Sequence, residues 1–223
     1  MGELALAALR EAASVLWPVA CAGCGAVDVA VCRACAGLLR AGPLRERLDG
    51  VPLLAAAAYE GEVRALVAAC KEHGGRAEAR ALGAGLALAV AAAPDGALVR
   101  VPSSRDGMRR RGFDPVALVL RGAGLRAEPL ARVRGGGAQK ERSAAARAVA
   151  AHGSLELPPR VARRLEGGSV VIVDDVVTSG ATVRDAVRAV RAAGCRAVAI
   201  AAVARTPRRL PDLAGTVRRP GVE

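Results

Sequence analysis

Residues 170–183 constrain the fold more than any other stretch: Val170-Val171-Ile172-Val173-Asp174-Asp175-Val176-Val177-Thr178-Ser179-Gly180-Ala181-Thr182-Val183. Val170 to Val173 are apolar and β-branched, with no polar alternation. That pattern predicts a strand buried on both faces, as in a parallel sheet covered by helices. Asp174 and Asp175 stand where the strand is expected to stop. Thr178-Ser179-Gly180 reads as a short turn, and Ala181 to Ala193 as a helix. In open α/β sheets, ligands sit beyond the carboxyl ends of the strands. A helix N-terminus there presents free N–H groups and the positive end of its dipole to an anion. Thr178, Ser179 and Thr182 add hydroxyl donors, and Gly180 lets the backbone approach a ligand closely. The two carboxylates suit sugar hydroxyls or, through water, a magnesium ion.

Together these features read as a cradle for ribose 5-phosphate. The alternative is a buried strand ending in a solvated Asp-Asp turn with an ordinary helix cap. The order of apolar strand, acidic pair, Thr-Ser-Gly-x-Thr and helix resembles the phosphoribosyl pyrophosphate (PRPP) loop of type I phosphoribosyltransferases. The resemblance implies PRPP contacts along Asp174, Asp175, Val176, Val177, Thr178, Ser179, Gly180, Ala181 and Thr182, with Asp174 and Asp175 as the catalytic pair.

Composition sets the remaining bounds. The 223 residues suffice for one large domain, or one domain with a small module. Apolar residues reach 52%, mostly Ala, Val and Leu, and the only aromatics are Trp17, Tyr59 and Phe113. Scarce aromatics argue against a stacking platform for single strands. The net charge of +12 favours anionic partners: phosphorylated metabolites, nucleic acid or an anionic surface. The apolar run at 81–93 is too short to span a bilayer. Glu3, Arg10 and Glu11 interrupt the apolar pattern of the N-terminus, so a cytoplasmic location is expected.

In chain order, residues 1–17 read as an amphipathic helix ended by Pro18, and 18–40 as a four-cysteine zinc ribbon. Cys21-x-x-Cys24 and Cys32-x-x-Cys35 carry the ligand spacing of a structural zinc site. Redox use of one pair is the alternative, without a βαβ context to support it. Cys70 and Cys195 read as small core residues. Residues 36–52, with Gly42-Pro43, Asp49-Gly50 and Pro52, read as a linker, and the main domain is expected over 51–205, with a tail at 206–223. Leu53 to Ala58 predicts a strand; residues 62–70 and 77–92 predict helices. Ala97 to Val101 predicts a strand running into a loop, Pro102 to Asp114, rich in hydroxyls and guanidinium groups. Arg105 and the run Arg109-Arg110-Arg111 are candidates for a pyrophosphate. A solvated basic loop, or a nucleic-acid contact by the triplet, are the competing readings. Gly135 to Gly137 reads as a mobile segment, a flexible surface loop by composition. The resemblance to type I phosphoribosyltransferases implies instead that Gln139 and Lys140 lie on a loop that folds over the active site. Cys195 to Val203 predicts a second strand, parallel to Val170–Val173 through a right-handed crossover.

The cysteine pairs, Tyr59-x-Gly61, Lys71, Val101-Pro102, Arg109-x-Arg111-Gly112-Phe113 and Val173-Asp174-Asp175 together resemble the ComF family of late-competence, amidophosphoribosyltransferase-like proteins, over residues 18–204. Asp114 and Ser179 depart from the family's usual Asn and Thr, and Arg147-Ala148-Val149 lacks its asparagine. The resemblance implies a type I phosphoribosyltransferase fold, a parallel sheet flanked by helices, behind the zinc ribbon. It implies PRPP with magnesium as ligand and phosphoribosyl transfer to a nitrogen acceptor. Lys71, Arg105, Arg109 and Arg111 would join the 174–182 run in binding PRPP. It also implies a non-catalytic alternative: a DNA-uptake factor acting through a helicase partner, or through a weak DNA contact of the basic surface.

Overall fold

The computed structural model describes residues 19–133 and 154–207. The helix expected before Pro18, and Gln139, Lys140, Arg147 and most of the tail, lie outside the described residues. The elements in order are α1 Arg33–Leu38, β1 Leu44–Leu48, β2 Val51–Ala58, α2 Gly61–His73, α3 Arg76–Ala91, β3 Ala97–Arg100, α4 Arg105–Arg111, α5 Pro115–Gly122, β4 Glu128–Pro129, β5 Ala131–Arg132, β6 Leu155–Glu156, α6 Pro159–Leu165, β7 Ser169–Val177, α7 Ala181–Ala192 and β8 Arg196–Arg205.

Six strands form one sheet in the order β1-β2-β8-β7-β3-β4. Every neighbouring pair is parallel except the β1–β2 hairpin at one edge. This is the expected α/β class. β7 lies between β3 and β8, so both its faces are covered and Val170 to Val173 are fully buried. Val171 and Val173 pack with α2, α3 and α5; Val170 and Ile172 pack with α7, Leu155 and Val161 on the other face.

With so few aromatics, the core closes by close approach of small residues. Ala55 to Ala57 on β2 and Ala199, Ala201, Ala202 and Ala204 on β8 are all buried. Gly85 of α3 sits where an added methyl carbon would lie 2.8 Å from the Ala56 side chain. At Gly122, the last residue of α5, an added carbon would lie 2.2 Å from the Ala79 carbonyl oxygen of α3. Helix and sheet, and helix and helix, thus meet nearly backbone to backbone.

Three expectations are corrected. Residues 36–52 are not a linker. They hold the end of α1, all of β1 and the Asp49-Gly50 turn, whose φ values of 49° and 82° suit the two-residue primed turn that matches strand twist. Leu39, in the same stretch, is fully buried in the main core. Residues 105–111 are not a loop but a helix. Ser104 caps it by accepting from the Gly107 N–H at 3.0 Å, and Gly112 ends it in the left-handed region at φ 73°. Finally, β7 does not stop at Val173; it continues through the acidic pair to Val177.

Candidate functional site

That extension of β7 governs the acidic pair. Side chains alternate along a strand, so Asp174 continues the row of Ile172 and Asp175 the row of Val173. Asp175 accordingly meets Lys71 of α2 across 3.1 Å. Asp174 is 8% exposed, and its Oδ1 accepts from the Asp175 N–H at 2.9 Å. Burial and the neighbouring Asp175 charge push its carboxyl well above the usual range; the Asp175 N–H, Lys71 and Arg132 pull the other way. A buried acid held neutral, or charged only once a cation or donor arrives, is a recurrent property of functional sites.

After Val177 the chain turns through Thr178 and Ser179, both exposed, to Gly180 at φ 82°, which is the N-cap of α7. Gly180 has no side chain with which to cap this helix; the Ala181 N–H donates to Ser179 Oγ at 3.4 Å, and no side-chain oxygen among the described residues accepts from the Thr182 and Val183 N–H groups. A small concavity of about 30 Å³ lies inside the turn, walled by Asp174 and residues 176–183.

A wider cleft of about 210 Å³ adjoins it, lined by Lys71, Ser103, Ser104, Arg111, Arg132, Asp174, Asp175 and Thr182 among others. The turn from β3 into α4 forms one wall. Arg111, at the end of α4, reaches this wall, and its Nε meets no protein partner among the described residues. Arg105 and Arg109 do not line the cleft. Arg105 is exposed, and Arg109 pairs with Asp106 at 2.8 Å on the open surface. Phe113 packs its ring on Gly74, the residue that ends α2, and so holds α4 beside the helix that carries Lys71. Asp114 has a structural role: it caps α5 by accepting from Val116 N–H at 3.0 Å and pairs with Arg100.

Two arginines of the site stood unremarked in the sequence reading. Arg132 on β5 donates from Nη2 to the Pro102 carbonyl at 3.0 Å and from Nε to the Ser103 carbonyl at 3.2 Å, fixing the β3–α4 turn. Burial lowers its affinity for its proton, opposed by the charges of Asp174, Asp185 and Asp114. Arg205, the last residue of the expected main domain, is 4% exposed at the end of β8. Neither belongs to a local motif.

The cysteine module brings together four thiols that could hold a metal ion. The Sγ atoms of Cys21, Cys24, Cys32 and Cys35 all lie within 4.8 Å of one another. Cys24 and Cys32 Sγ are 3.6 Å apart, close to the roughly 3.8 Å that a tetrahedron of zinc–sulfur bonds of about 2.3 Å requires. The Cys32 N–H donates to Cys21 Sγ at 3.2 Å, and the Cys35 N–H to Cys32 Sγ at 3.4 Å, in the way amides support thiolates. At Cys21, burial raises the thiol pKa but backbone N–H donors outweigh it and bring it to about 6. At Cys35, burial and the other three sulfurs push the thiol up. Cys35 occupies the first turn of α1 and packs in the main core with Val63 and Leu66. The module is therefore docked on α2, the helix of Lys71. Cys70, buried in α2, has its thiol raised to about 11, chiefly by burial, and Cys195 donates to the Leu165 carbonyl at 3.2 Å; both sit in the core.

No helix among the described residues is long and apolar enough to cross a membrane. No curated protein sequence matches the chain. Among solved structures, it is similar to the allosteric regulatory enzyme of purine biosynthesis, at 25% identity over 56% of this chain with a TM-score of 0.35. The chain spans only 25% of that enzyme's length. It is also similar to a phosphoribosyltransferase from Corynebacterium diphtheriae, at 18% identity over 77% of this chain and 81% of that one, with a TM-score of 0.38. The family model for the phosphoribosyl transferase domain matches residues 107–218, half of the chain, from α4 through the acidic pair, the Thr-Ser-Gly turn and β8. The chain belongs to the phosphoribosyl transferase domain family.

Proposed function

We propose that this chain is a ComF-like protein that binds PRPP with magnesium in the cytoplasm and passes the phosphoribosyl group to a nitrogen acceptor. One observation carries the reading: an acidic pair near the carboxyl end of a central parallel strand is followed by the Thr178-Ser179-Gly180 turn into a glycine-capped helix N-terminus, with Lys71 and Arg111 in the same cleft. Asp174 and Asp175 would hold the ribose hydroxyls, and the 178–182 turn the 5′-phosphate. Ser103, Ser104 and Arg111 would face the pyrophosphate, in place of Arg105 and Arg109. Magnesium fits the oxygen-rich rim of the acidic pair, and would neutralise charge on the departing pyrophosphate. The protein's part in displacement at ribose C1 is positioning and fixed charge. Lys71, paired with Asp175 at 3.1 Å, would hold that carboxylate in position for the sugar hydroxyls. A wider groove of about 500 Å³, between Arg100, Arg121 and Arg126, has no hydroxyl or carboxylate on its walls with which to recognise a sugar.

Calorimetric titration of PRPP with magnesium tests this. Heat is expected with wild type and none with the Asp174→Asn/Asp175→Asn double variant. Equal binding by both would remove the assignment.

That arginine-lined groove, continued by Arg76 and Arg80 on α3, supports a second reading as a DNA-uptake factor. It predicts DNA affinity that falls steeply with salt. Pyrophosphate release with any acceptor, without DNA binding at low salt, would decide for the enzyme.

A further inference from the structure

Arg205 and Arg184 bind the same few residues from two different elements. Arg205 donates from Nη1 to the Val177 carbonyl at 3.0 Å and to the Thr178 carbonyl. Arg184, in the first turn of α7, donates from Nη1 to the Ser179 carbonyl at 2.9 Å. Three consecutive carbonyls, 177 to 179, are thus each held by a guanidinium. The described peptide bonds are all trans, and in a trans unit C=O and N–H point in opposite directions. Each of the following N–H groups, on Thr178, Ser179 and Gly180, therefore points away from the arginine that holds its own carbonyl. Among the described residues none of the three finds an acceptor. Successive amides turned outward in this way form an anion-binding concavity.

The two arginines are themselves anchored to one hairpin. Arg205 Nε donates to Glu46 Oε2 on β1 at 3.2 Å, and Arg184 Nε to Asp49 Oδ2 in the β1–β2 turn at 2.6 Å. Leu48, between them in sequence, packs so close to Gly180 that an added methyl carbon there would lie 2.9 Å from Leu48 Cδ2. The hairpin, the arginines and the turn therefore form one assembly behind the anion site.

We propose that Arg184 and Arg205, held by Asp49 and Glu46, are positioning residues. They touch no ligand; they pre-set the N–H groups of Thr178, Ser179 and Gly180 for the 5′-phosphate. This rests on the cradle reading above. Geometry rather than charge is the active property: lysine keeps the positive charge, but not the planar fork that joins a carbonyl to a carboxylate. Charge-assisted hydrogen bonds lost from the back of the turn should cost affinity for a phosphate at its front.

The test compares wild type with Arg184→Lys, Arg205→Lys and Asp49→Asn. Each is titrated with ribose 5-phosphate and with inorganic pyrophosphate, and melted without ligand. Ribose 5-phosphate affinity is expected to fall roughly tenfold or more in both lysine variants, the worth of one charge-assisted hydrogen bond, and less in Asp49→Asn. Pyrophosphate affinity is expected to stay within about twofold, since that end of the site has its own anchors. Arg184 is half-exposed, so its variant carries the test even if Arg205→Lys folds poorly. Lysine variants that bind ribose 5-phosphate like wild type would overturn the proposal, as would equal losses for both ligands. A wild-type protein that binds pyrophosphate but not ribose 5-phosphate would instead overturn the cradle reading, and this inference with it.

Discussion

Replacing Asp174 by asparagine should make the ligand-free protein more stable while it abolishes PRPP binding. Asp174 lies between β3 and β8 at the end of a sheet row whose other members are apolar, and burial and Asp175 raise its carboxyl pKa. The folded state therefore keeps a proton that the unfolded chain releases at its ordinary pKa near 3.9. Wild-type stability is fully present below that ordinary value. It declines as pH rises toward the raised folded value, and levels off above it. At neutral pH burial of this group therefore carries a cost, either of the proton it takes up or of a charge that Lys71 and Arg132 only partly offset. Asparagine keeps the side-chain oxygen that accepts from the Asp175 N–H and removes the charge. Mutational data on buried, imperfectly paired polar groups put such a gain at about 1–2 kcal/mol. For a chain of this size that corresponds to a melting shift of about 2–8 °C. Thermal melts at neutral pH, and again near pH 3, measure it. The gain should be present at neutral pH and shrink toward zero in acid, where wild-type Asp174 is protonated in both states. An asparagine variant less stable than wild type at neutral pH would show that the carboxylate is fully paired, and would refute the reasoning.

Zinc content should be one ion per chain, and Cys35→Ser should lose it along with stability, because Cys35 packs in the main core; full zinc retention in a colorimetric release assay would contradict the four-thiolate site. Gly122→Ala should destabilise by about 1–3 kcal/mol in urea unfolding, because the new carbon meets the α3 backbone at Ala79 rather than a movable side chain. Arg132→Gln frees the carbonyls of Pro102 and Ser103 and should weaken pyrophosphate binding roughly tenfold by titration; an unchanged affinity would remove Arg132 from the site.

Much of the sheet was readable because its information is local. Val170 to Val173 announce a buried strand by composition alone, and the Thr-Ser-Gly turn announces the helix after it. Asp49-Gly50 was misread because the same dipeptide marks a loop boundary or a tight hairpin, and only the pairing of β1 with β2 decides between them. The arginine run after Ser104 was misread as a loop because its charge drew notice away from its caps: Ser104 and Gly112 bracket it as a helix. Helix formation then settles which arginine faces the cleft. Arg111 does and Arg109 does not, a distinction of angular position that a linear run of three cannot express. Arg132 and Arg205 were missed for a different reason. Each acts on backbone carbonyls remote in sequence, at Pro102 and at Val177, and no local pattern encodes that meeting.

The two margins of the sheet bear on how other proteins can meet this one. β4 is two residues long and ends in Pro129, which has no N–H to offer. β1, at the opposite margin, alternates Arg45, Glu46 and Arg47 along a short outer rim. Short length, proline and charge are the usual defences against an incoming strand from another chain. The six-stranded sheet therefore favours recognition through side chains, on the helices or the cysteine module, over strand addition at its margins. Such recognition is selective by nature, whereas an open backbone rim would accept almost any extended peptide.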